Sequence, residues 1–130
     1  MTIFGTLIFG FTSGEDLDVL RTCTGVTPSD ALVKAWLTVK ARASDADPGI
    51  LQKIVTTISG AAGQITADGS AGQGNGTAQL TFHLSAADTA LLAAGALYLF
   101  DVQVKTAGGK IYTVEEGSLQ LASRVTGAIT

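Results

Sequence analysis

Residues 31–43 alternate without a break. Val33, Ala35, Leu37, Val39 and Ala41 fall on one side, and Lys34, Trp36, Thr38, Lys40 and Arg42 on the other. A period of two sends successive side chains to opposite faces, as an extended strand does. A helix would scatter the same apolar residues around its circumference. The segment therefore reads as a long strand, half buried and half solvated. Ser44-Asp-Ala-Asp-Pro-Gly49 follows it with strong turn chemistry.

The same grammar recurs along the chain. Residues 3–11 form an apolar opening strand, with Ile3, Gly5, Leu7, Phe9 and Phe11 alternating against Phe4, Thr6, Ile8 and Gly10. Residues 17–24 place Leu17, Val19 and Cys23 on one face. Residues 50–59 fit either a helical stripe or a strand, and their β-branched content favours an extended segment. Gln64 to Ala67 is a short strand, and residues 68–76 a mobile glycine-rich loop. Residues 77–84 point Ala78, Leu80, Phe82 and Leu84 inward.

Ser85-Ala-Ala-Asp88 has the spacing of a capping box, which predicts a short helix near residues 86–94, ended by Gly95. From Tyr98 to Leu121 the chain reads as a strand, a Gly109-centred turn, a second strand, a glycine corner at Gly117 and a third strand. Sixteen glycines against two prolines punctuate these segments, as turns needing positive φ require. The sum is an all-β chain: one domain over residues 1–130, an antiparallel immunoglobulin-like β-sandwich of about 7–9 strands with one short helix.

Composition narrows the function. Charged residues make up only 15% of the 130 and the net charge is −3. No basic cluster is present to neutralise phosphates, so nucleic acid is not an expected partner. No apolar run approaches the about 18 residues of a membrane helix, so no membrane partner is expected either. The opening segment lacks a basic n-region and reads as a strand, not a signal peptide. A single cysteine, Cys23, allows no intrachain disulfide and no cysteine-based metal site.

Catalytic groups are sparse. His83, the one histidine, falls on the outward side of an edge-like strand with no motif around it. A catalytic role needs a nucleophile and a carboxylate beside it. Cys23 groups with Leu17 and Val19, as a small core residue does. The acids Glu15, Asp16 and Asp18, and Asp45 with Asp47, do not match the spaced oxygen ligands of a calcium loop. Glu115 and Glu116 are adjacent in a strand and point to opposite faces, so they cannot flank one bond. The Gly69–Gly76 loop lacks the lysine and following helix of a phosphate loop. The expectation is a non-enzyme with no catalytic, metal or cofactor residues and no cofactor.

Trp36 is the anomaly. Alternation puts it among Lys34, Thr38, Lys40 and Arg42, on the solvent side. It is either an interface anchor between cations or a core residue turned inward by a bulge. The candidate interface residues are Trp36, Lys34 and Lys40, together with Phe4 and Ile8 on the opening strand. The basic stripe would pair with acids on a partner, or with Glu115 or Asp101 of its own sheet.

Several pieces, in order, resemble a known family: Phe9-x-Phe11-x-x-Gly14-x-Asp16-Leu17, then Trp36-Leu-Thr-Val-Lys40 and Asp45-x-Asp47-Pro48. Next come Gly76-x-Ala-x-Leu80-x-Phe82-x-Leu84-Ser-Ala-x-Asp88-Thr89 and Tyr98-x-x-Asp101-Val-Gln-Val104. Gly109-Lys-x-Tyr-Thr113-Val-x-x-Gly117-x-Leu119 and Val125-Thr126 complete the set. Together they resemble a small immunoglobulin-like virion domain of tailed bacteriophages, found at the N-terminus of baseplate upper proteins and as single-domain structural proteins. The resemblance implies a structural accessory protein, made in the bacterial cytoplasm and carried on the virion. It would dock in multiple copies onto a capsid, neck or tail protein. A baseplate or host-surface carbohydrate-binding module, with Trp36 or Tyr112 as a stacking platform, is the alternative.

Overall fold

The structure is a computed structural model that describes the backbone of residues 5–8 and all atoms of residues 12–121. Eight strands and one helix follow in order: β1 (Gly5–Ile8), β2 (Leu17–Thr24), β3 (Leu32–Lys40), β4 (Leu51–Thr56), β5 (Gly63–Asp68), β6 (Thr77–Leu84), α1 (Ala86–Ala90), β7 (Leu97–Thr106) and β8 (Ile111–Gln120). They build two sheets, one ordered β1-β8-β7-β3-β4 and the other β2-β6-β5. This is an immunoglobulin-type sandwich in which β4 extends the larger sheet, as the extra strand of variable-type domains does. The expected all-β sandwich and strand count hold. All pairings are antiparallel except β1 with β8, which is parallel, with Gly5 opposite Glu116 and Ile8 opposite Leu119.

The core lies between the sheets. Ala35, Leu37 and Val39 of β3 and Phe100, Val102 and Val104 of β7 face Leu17, Val19, Cys23, Leu80, Phe82 and Leu84 of the smaller sheet, in one contiguous cluster. Leu37 belongs to this core, and Trp36 is one residue out of its phase, on the outer face of the same sheet. An immunoglobulin device is also present. Tyr98, at the start of β7, accepts a hydrogen bond on its hydroxyl from the backbone N–H of Ala93 at 2.8 Å, tying the strand to the corner before it in the manner of a tyrosine corner.

Four expectations need correction. Residues 111–120 form one continuous strand, with no corner at Gly117; the irregularity lies at a bulge opposite Val102 and Gln103. A bulge in β3 beside Val33 leaves that residue 40% exposed and puts Leu32 in the core instead. The helix stops at Ala90, because the N–H of Leu91 already turns back to the carbonyls of Asp88 and Thr89. β6 is the centre of its sheet, so His83 is not on an edge strand.

The glycine-rich segment 68–76 is a hydrogen-bonded hairpin end. Gly69 N–H donates to the Gln73 carbonyl and Gly76 N–H to the Gly69 carbonyl, both at 2.7 Å. Asp68 Oδ1 accepts from both the N–H and the hydroxyl of Ser70. These bonds hold the Asp68 carboxyl below its ordinary pKa. Gly74, at φ +93°, lies where an added Cβ would meet the Thr77 carbonyl oxygen, so the turn requires glycine there.

Candidate functional site

The outer face of the larger sheet carries Lys34, Trp36 and Lys40 of the residues singled out from sequence. Its side chains form rows across the strands. Lys34 lies opposite Lys105 and Thr56, and Lys105 opposite Ile111. In the next row Trp36 sits between Gln103 and Ile54, with Thr113 beyond. Then Thr38 lies between Asp101 and Gln52, and Asp101 is opposite Glu116. Last, Lys40 pairs with Leu99, and Leu99 with Ser118.

Trp36 is neither core nor fully exposed. No bulge turns it inward. Its ring packs on the sheet surface, half-buried, with the Lys34 ammonium 5.2 Å from the ring centroid. This is a cation–π arrangement, which holds both side chains flat against the face. Ile54 (43% exposed) lies directly beside it, and Ile111, Leu99 and Leu97 expose apolar surface further along the same face. Thr38 is buried and accepts from Gln52 Nε2 at 3.0 Å.

The charge at the far end is not paired as expected. Lys40 meets Asp47 of the following turn at 2.8 Å, and this bond raises the lysine pKa. Burial raises the Asp101 carboxyl above its ordinary value. Lys40 opposes the shift, while Asp47 and Glu116 add to it. Around Asp101 the surface dips into a concavity of about 430 Å³, lined in part by Thr38, Lys40, Leu99, Glu116 and Ser118.

Glu115 joins none of this. The β8 bulge turns it inward, where it is 3% exposed and meets Arg21 Nε of β2 at 2.5 Å across the sandwich. Glu115 and Glu116 thus point to opposite faces.

The groups with catalytic potential are dispersed. His83 Nδ1 is 2.6 Å from Asp18 Oδ1 on the outer face of the smaller sheet. Cys23 is on the inner face of that sheet, and burial, with Glu115 adding, pushes its thiol up to about 11. The Ser85 hydroxyl accepts the Asp88 N–H, and Asp88 accepts the Ser85 N–H, which completes the capping box. Asp16 accepts from the Ala86 N–H, and Asp45 from that of Arg42. Among the described residues no group of three or more His, Cys, Asp or Glu could hold a metal.

Tyr112 registers with inward-facing Val104, on the opposite side of the sheet from Trp36, so the two rings cannot form one stacking platform. Phe4 and the side chain of Ile8 lie outside the described residues.

Sequence reasoning missed Asp101 and Glu116 as a pair. Alternation alone places Asp101 outward, but its partner depends on the β8 bulge, which leaves no mark in the periodicity. Thr89 was missed too. It is buried, accepts the Gly14 N–H and donates to the Glu15 carbonyl, stitching α1 to the turn before β2. Compared with known protein families the chain matches no family model, and no curated protein matches its sequence.

Proposed function

We propose that this chain is a non-enzymatic structural subunit of a tailed-phage particle. It docks onto another particle protein as a head decoration or as a neck or tail component. The observation that carries the reading is β1. This short strand runs parallel to β8 and forms the outer strand of the larger sheet. An outer strand offers backbone N–H and carbonyl groups to a strand of a partner, and strand addition gives affinity without a chemical centre. Many copies on a symmetric lattice let weak contacts add by avidity. The dispersal of His83, Cys23 and Ser85 over different faces supports a non-catalytic role.

The test is deletion of residues 1–10, followed by assembly with the particle. The truncated domain is expected to keep its β-type circular dichroism and to fail to co-sediment with particles. Incorporation at the full-length level overturns the reading.

A further inference from the structure

We infer that the outer face of the larger sheet pairs with the same face of a second copy of this chain, across a two-fold axis running through the Trp36 row. The reasoning starts from two like-charge contacts. Lys34 and Lys105 lie directly opposite each other across β3 and β7, and Asp101 and Glu116 across β7 and β8. Like charges opposite each other destabilise a sheet. Neither lysine has an ion pair among the described residues. Among the described residues neither acid has an ion pair, and Lys40, which acts on Asp101, is held by Asp47.

The two ends are symmetric about the middle. Lys105 and Asp101 are each two residues from Gln103, and Lys34 and Thr38 each two from Trp36. A two-fold axis lying in the interface, perpendicular to the strands, therefore swaps the basic end for the acidic end. Lys105 of one copy then faces Asp101 of the other, with Lys34 diagonal to it, and the reverse holds on the far side. Trp36 meets Trp36, flanked by Ile54. Stacking the copies in the same direction would instead set lysine on lysine, so charge selects one orientation.

Such an isologous pairing closes on itself as a dimer, and aligned sheet packing accommodates it. Strands β8, β7, β3 and β4 have 10, 10, 9 and 6 residues, and at about 3.3 Å per residue and about 4.8 Å between strands they cover about 550 Å² in projection. An interface of this extent lies below the about 800 Å² per partner of a standard-size complex, which fits a reversible monomer–dimer equilibrium. A half-buried tryptophan in the middle row, with charges in the rows on either side, also matches the usual division between anchor and rim.

Self-association of this kind goes beyond docking on a particle and needs no particle, so purified protein suffices. Sedimentation velocity over a concentration series is expected to show a monomer–dimer equilibrium that weakens with salt. Two variants test the orientation: Lys34→Glu with Lys105→Glu, and Asp101→Lys with Glu116→Lys. Each alone is expected to raise the dimer Kd by about tenfold or more. Their equimolar mixture is expected to restore dimers, now mixed.

Circular dichroism and thermal melts confirm that the variants fold. If a double variant unfolds, Lys105→Glu and Asp101→Lys give the same comparison. A wild-type protein that stays monomeric at its highest soluble concentration overturns the inference. So do reversed variants that dimerise as tightly as wild type, or a mixture that remains monomeric.

Discussion

At the scale of single residues, phase decides everything. Leu37 and Trp36 are neighbours, and their one-residue offset sends one into the core and the other to the surface. The alternation in the sequence suggests this offset but leaves open a bulge that would turn Trp36 inward; the bulge of β3 falls beside Val33 instead, and the register from Lys34 to Lys40 is regular. Nor does the sequence show where Val33 goes, since a bulge costs no side-chain signature. Cys23 was legible as core from its company. Burial makes its thiolate unfavourable, and with a pKa near 11 almost none forms at neutral pH. Native protein at pH 8 is therefore expected to react with a disulfide reagent far more slowly than urea-unfolded protein. Equal rates would show that the thiol is accessible in the folded state.

Among elements, α1 shows how much a few polar atoms decide. Five residues are too short for a stable isolated helix, so its caps and its stitching by Thr89 hold it. The capping box was readable, because it is a fixed spacing of two side chains. The early stop was not, because it rests on backbone bonds from Leu91 to Asp88 and Thr89, which leave no mark in the side-chain pattern. Ser85→Ala is expected to cost about 1 kcal/mol, measured by urea unfolding.

The Asp88 carboxylate adds a pH signature. Burial alone would raise its pKa, but hydrogen bonds from Lys53 and Ser85 outweigh this and hold it below the ordinary 3.8. A carboxyl with a depressed folded pKa contributes stability that is complete well above its unfolded value and lost as pH falls through the folded one. Asp88→Asn should therefore flatten the acid limb of the stability curve below about pH 4. An unchanged limb would show that the contact is not formed.

For the whole molecule, two sheets must be held in register, and among the described residues one ion pair crosses the gap between them. Glu115 is buried and Arg21 is its partner from the other sheet. Removing one member leaves the other without its partner, so Glu115→Ala is expected to cost about 3 kcal/mol. Replacing both, by Arg21→Met with Glu115→Leu, should recover most of that loss. Equilibrium unfolding of the three variants checks both statements, and a double variant no better than the single would show that the pair itself is not the cause.

Sheet membership was broadly legible as a sandwich from strand spacing. The parallel meeting of β1 and β8 was not, since alternation carries no direction. That meeting has a consequence for birth order. Gly5 waits for Glu116, so the first strand made cannot take its place until nearly the last has left the ribosome. At about 5–20 residues per second that interval is roughly 5–20 s. β1 is thus the last of the described strands to be locked, and a partner that docks on it as proposed would find it unclaimed during synthesis.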